Sequence, residues 1–120
     1  MDKFNKNKLF QDFELLAHKE NNFEYWSARE LLKPLGYDKW DNFINVIEKA
    51  KTACEGAQHI VLDHFLDVKK LIQGGKGAVL NVQDFHLSRY ACYLIAMNGD
   101  PRKEAIAFAQ AYFALQTSLK

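Results

Sequence analysis

The chain is short of cysteine, of proline and of charge of either sign in excess, and each shortage excludes a class of protein. Cys54 and Cys92 are its only cysteines in 120 residues. They allow one disulfide, too few to staple a small secreted scaffold, so a reduced, cytoplasmic protein is expected. Sixteen Lys and Arg stand against 15 Asp and Glu, a net charge of +1. No global field therefore draws the chain to an acidic polymer, and any nucleic-acid affinity has to be local. The forty-residue blocks carry 7 basic and 7 acidic residues, then 5 and 5, then 4 and 3, which leaves no charged arm or tail. Long apolar runs are also missing. The longest uncharged stretch, Ala105 to Leu119, is interrupted by Gln110 and falls short of the roughly 18 residues of a membrane span. The opening MDKFNKNKLFQDF has no apolar signal-peptide core. No membrane partner is expected, and the cytoplasm is the expected location.

What is present suits one soluble domain over residues 1–120: hydrophobic residues make up 48% and aromatics 13%, enough to fill a single core. Leu9, Phe10, Phe13, Leu16 and Ala17 share one face at helical spacing, predicting a first helix that ends near Asn21 and Asn22. Phe23 to Trp26 reads as a short strand. Ser27 with Glu30 three residues on is a capping box, opening a second helix that Pro34 and Gly36 stop. Asp38 is the expected cap of a third helix, with apolar positions Trp40, Phe43, Ile44, Ile47, Ala50 and Cys54. Two β-prone runs between Val68 and Gln83, around Gly74-Gly75-Lys76-Gly77, predict a hairpin. Asp84 is the expected cap of a fourth helix ending at Asn98-Gly99, and Asp100-Pro101 the start of an Ala-rich fifth, which is either central to the core or packed on another subunit. The predicted class is α+β and predominantly helical, about five helices with a small β-hairpin.

Two sets of residues suit nucleic acid. The short second helix, its turn and the longer third helix have helix-turn-helix spacing, and opposite the apolar stripe of the third helix lie Asn42, Asn45 and Lys49. Asn can read adenine edges and Lys can pair with phosphate or guanine; the alternative is an ordinary solvated face, bordered by Asp41 and Glu48. The hairpin carries Lys69, Lys70 and Lys76 with no acid between Asp67 and Asp84, and its glycines admit close backbone approach to a phosphate. It is wing-like; the alternative is a hairpin kept soluble by edge lysines.

Catalytic and metal constellations are not legible. Cys54, His59 and His64 lack zinc-finger spacing and a second ligand pair. Asp63, Asp67 and Lys69 resemble a nuclease's acidic-then-lysine pattern only at spacings that arise by chance. His86 and Ser88 come without an orienting acid, His18 reads as helix surface, and the GGKG loop lacks the following Ser or Thr of a phosphate loop. No catalytic residue, metal or cofactor is expected.

The segments YWSARELLKPLGYDKWDNFINVIEKA and DFHLSRYACYLIAMNGDPRKEAIAFAQAYFALQT resemble the DNA damage-inducible protein D family, whose N-terminal part belongs to the Bro-N group of phage antirepressors and baculovirus repeat proteins. The resemblance runs from about Tyr25 to Thr117. Its signature residues here are Tyr25, Trp26, Ser27, Arg29, Gly36, Tyr37 and Trp40, then Phe85, Ser88, Arg89, Asn98, Gly99, Pro101, Gln110 and Tyr112. It implies a Bro-N-like α+β domain with a DNA-binding or transcription-regulating role. For the damage-inducible branch it implies an SOS-response role, nucleoid-associated, with single- or double-stranded DNA and RecA filaments as partners. Arg29 and Arg89 are each a phosphate contact or a pairing partner; pairing is favoured for Arg89, and Arg29 is kept as a nucleic-acid candidate. Relatives continue with a more charged helical region, so the chain is expected to be an excised domain or a short relative. The alternative function is a protein-interaction module of antirepressor type, or a homodimer through the C-terminal helix, without direct DNA contact.

Overall fold

A computed structural model of the protein describes residues 6–118. Its elements are helix α1 (Lys6–Leu16), strands β1 (His18–Glu20) and β2 (Phe23–Ser27), helices α2 (Ala28–Leu31) and α3 (Trp40–Gly56), strands β3 (Phe65–Gln73) and β4 (Val79–Leu87), and helices α4 (Arg89–Met97) and α5 (Glu104–Ser118). Single 3₁₀ turns at Val61–Asp63 and Gly75–Gly77 precede β3 and β4. The class is α+β: among the described residues, five α-helices and a four-stranded antiparallel sheet of order β1-β2-β4-β3.

The sheet is larger than the single hairpin read from the sequence. Asn21 and Asn22 both adopt left-handed backbone, φ 50° and 71°, and form the two-residue turn that pairs His18 with Tyr25 and Glu20 with Phe23. Such a turn requires φ > 0 at both positions, and Asn tolerates it. The first helix therefore ends at Leu16, and His18 is a strand residue. Phe13 is buried in the core as expected, whereas the side chains of Leu9 and Phe10 lie outside the described residues. The second hairpin spans 65–87, wider than 68–83, with an unbroken register from Phe65↔Leu87 to Gln73↔Val79.

Helix ends differ from the sequence reading in instructive ways. Ser27 caps α2 as expected, accepting from the Glu30 N–H at 3.4 Å. Gly36, at φ +87°, closes the following turn: Tyr37 N–H bonds the Leu32 carbonyl and Gly36 N–H the Lys33 carbonyl, the Schellman pattern. Asp38 does not cap α3; the N-cap is Lys39, with no side-chain cap. At the other end the left-handed residue is Gln58, φ 66°, two residues past Gly56. Asp84 lies inside β4, and Ser88 caps α4 by accepting from Ala91 N–H at 3.0 Å. Pro101 sits in a turn, because the Asp100 carboxylate accepts from Arg102 N–H at 2.9 Å and delays α5 to Glu104.

The core lies between one face of the sheet, carrying Trp26, Phe65, Phe85 and Leu87, and helices α3 and α4, which contribute Phe43, Ile47 and Ile95. Helix α5 places Ile106, Ala109 and Phe113 in that core and leaves Ala107 and Ala111 exposed. Among the described residues no helix is long and apolar enough to cross a membrane.

Candidate nucleic-acid interface

The stripe on α3 survives as a surface. Helical spacing puts Asn42, Asn45 and Lys49 on the side away from the buried Phe43, Ile47 and Ala50, and all three are exposed. They line an open cleft of about 500 Å³ between α3 and the α4–α5 turn. The opposite wall brings Asn98, Gly99, Asp100 and Lys103, and Lys39 stands at the α3 end. Lys103 is positioned twice over: its Nζ donates to the Gly36 carbonyl at 2.9 Å and sits 4.8 Å from the Tyr37 ring centre.

Charge within the cleft favours an anion more than the sequence suggested. Asp41 and Glu48, which border the stripe along the chain, are not among the lining residues. Glu48 pairs with Lys51 at 3.7 Å. Of the two lining acids, Asp38 and Asp100, the second is held by the Arg102 guanidinium, whose hydrogen bonds pull its carboxyl down to about 2. Lys39, Lys49 and Lys103 line that space, and Lys39 is also the N-cap of a 17-residue helix that has no side-chain cap. The helix adds partial positive charge and unpaired N–H groups in its first turn.

The hairpin lysines, by contrast, are not gathered into one patch. Lys69 and Lys70 are neighbours on β3 and so point to opposite faces. Lys70 pairs with Glu30 at 3.5 Å, and Glu30 also bonds His18 at 2.7 Å. Lys69 is exposed, and Lys76 is exposed at the tip in left-handed backbone, φ 59°. Arg29 serves the fold: its Nε donates to the Gln83 carbonyl at 2.7 Å and its guanidinium carbon lies 4.1 Å from the Trp40 ring centre. Arg89 is a pairing partner, as expected. It bonds both Glu14 oxygens and both Glu24 oxygens at 3.0–3.2 Å and lies 5.0 Å from the Trp26 ring centre.

Spacing along the chain does not mark Lys39, Asn98 and Lys103 as binding residues. The only signal was indirect: the small Gly99 beside Asn98, where an added Cβ would meet Ile106 Cδ1 at 2.8 Å, lets the turn fold close to α5. Elsewhere the chemistry is quiet. Burial pushes the Cys54 and Cys92 thiols up, away from the reactive thiolate. Among the described residues no three of His, Cys, Asp and Glu gather as a metal site. A second void, about 30 Å³ between Phe13, Leu35, Cys92 and Phe113, is an apolar packing gap.

An α+β domain with a helical layer on a small antiparallel sheet and a polar cleft along its longest helix is the setting for the family relationship. Residues 14–114 match the N-terminal domain of the BRO family, Bro-N, and the chain belongs to that family. Over 108 residues it is 45% identical to DNA damage-inducible protein D of Escherichia coli (strain K12), an alignment covering 90% of this chain and 39% of that protein. No solved structure matches the chain.

Proposed function

We propose that this chain is a non-enzymatic, DNA-associated regulatory domain acting in the response to DNA damage, and that the α3 cleft is its nucleic-acid contact. The observation that carries the reading is the convergence of Lys39, Lys49 and Lys103 with Asn42 and Asn45 in one cleft that Asp41 and Glu48 do not line. Lysines and the helix N-terminus would hold phosphates, and the two asparagines would face base edges. In helix-turn-helix terms α3 is the reading helix and the β3–β4 hairpin a wing, with Lys76 at its tip on the flanking backbone. The relative's name supports the damage-response setting. The near-neutral net charge fits modest, salt-sensitive affinity.

Fluorescence anisotropy with labelled single-stranded and duplex oligonucleotides, over a salt series, tests this. The Lys39→Ala/Lys49→Ala variant should bind duplex more weakly and flatten the log–log salt slope by about 1.8, since each phosphate no longer neutralised by a lysine removes roughly 0.9. An unchanged slope overturns the cleft as the DNA contact. Binding to RecA with no DNA signal from the wild type would turn the reading to the protein-interaction module.

A further inference from the structure

β3 is the outer strand of the sheet and runs for nine residues without a bulge or a proline. Among the described residues, no backbone hydrogen bond leaves it except to β4. On the other side of β4, among the described residues, only Trp26 and Ser27 of β2 pair, opposite Leu87 and His86. The outer half of the hairpin is thus a two-stranded ribbon, a form marginally stable alone in water. It also exposes apolar side chains: Leu71 is 67% exposed and Val79 63%. A long, unpaired edge of this kind is a template for another strand.

We propose that this edge pairs antiparallel with the same edge of a second copy of the chain, about a two-fold axis beside Val68. The charges choose the partner and the register. In a two-fold antiparallel pair both sheets keep the same face up, so the axis passes beside a single residue. Centred on Val68, Asp67 of each copy lies opposite the partner's Lys69, Phe65 opposite the partner's Leu71, and Leu66 opposite the partner's Lys70. Two opposite-charge pairs form and no like charges stand directly opposite one another. Centring on Asp67, Lys69 or Lys70 sets that residue against its own copy, charge against like charge. Asp67 already accepts from Gln83 Nε2 at 3.2 Å and keeps further lone pairs for a lysine. The Val68 register also carries the partner's loop along the Val61–Asp63 turn, beside Ile60 and Leu62, which are otherwise exposed.

Sedimentation equilibrium on the 120-residue chain tests the pairing. The wild type should dimerise, with a mass twice 13.9 kDa at tens of micromolar. Asp67→Lys and Lys69→Asp should each shift the population to monomer by tenfold or more in dissociation constant. The double exchange Asp67→Lys/Lys69→Asp should restore the dimer, because it recreates both pairs; recovery also shows that the single variants fold. Val68→Cys should form an intermolecular disulfide under mild oxidation, while Gln73→Cys should not; the native cysteines are buried and do not compete. A monomeric wild type overturns the proposal. So does a dimer indifferent to both single charge changes, which would place the interface elsewhere, α5 included.

Discussion

Ser27 Oγ donates a 2.5 Å hydrogen bond to Asp84 Oδ2, joining residues 57 apart in the chain. The other carboxylate oxygen accepts from Arg29 N–H at 2.9 Å, and Ser27 in turn caps α2. Asp84 is buried, so this one side chain ties β4 to the start of α2. Arg29, held there, lies across Trp40 at the start of α3.

Replacing Asp84 with Ala should strand a buried hydroxyl and a backbone N–H and cost roughly 2–4 kcal/mol, read from urea unfolding. Asp84→Asn, which keeps an acceptor for one of the two donors, should cost clearly less. Equal costs for the two variants would show that hydrogen bonding at this site does not set the stability.

Arg89 clamps α1 and β2 to α4 through Glu14 and Glu24. The pair is partly exposed and screened, so Arg89→Ala should cost about 1–2 kcal/mol, including the packing over Trp26. Lys has no planar fork to hold two carboxylates, and Arg89→Lys should recover little. The hydrogen bond from Arg89 holds the Glu14 carboxyl below its ordinary value of 4.5. A lowered folded value stabilises above the unfolded one, and that contribution disappears as pH falls through the folded value. The stability gap between wild type and Arg89→Ala should therefore be constant from pH 7 to about 5 and shrink below about 4.5. Urea midpoints at pH 7, 5, 4 and 3 measure it; a gap that widens on acidification would contradict the pairing.

Gly99 meets Ile106, not a strained backbone. An alanine there would bring Cβ to 2.8 Å from Ile106 Cδ1, and Ile106 is fully buried. Gly99→Ala should destabilise by about 1–3 kcal/mol through overpacking. Ile106→Val removes that methyl, so the double variant should be more stable than the two single losses summed. Strict additivity in thermal or urea unfolding would rule out the contact as the cause.

Local features of the sequence predicted the local structure well. Ser27 as a cap, Gly36 as a stop, the apolar face of α3 and the ribbon around Gly74–Gly77 all rest on neighbours within a few residues, where periodicity and turn chemistry speak directly. Asn21-Asn22 reads as a helix end in the sequence because a three-residue strand is too short to show alternation. Asp84 reads as a cap because an acid before an apolar run has that pattern; in the fold it lies within β4, where its carboxylate accepts from the Ser27 hydroxyl and the Arg29 N–H. The α3 stripe of Asn42, Asn45 and Lys49 was legible from spacing alone, but its cleft was not, since Lys103 and Asn98 come from the far end of the chain.

By itself the sequence determined the class of fold, the family, the helix faces and the modest charge, because these depend on composition and on residues close along the chain. The tertiary structure alone decided which charges remain available. It left Asp41 and Glu48 outside the lining of the cleft, set Lys69 and Lys70 on opposite faces, tied Lys70 to Glu30 and Arg89 to Glu14 and Glu24, and brought Lys39 and Lys103 to Lys49. A charge's partner depends on distance in space, and a chain that turns back on itself through two hairpins makes that distance independent of sequence separation.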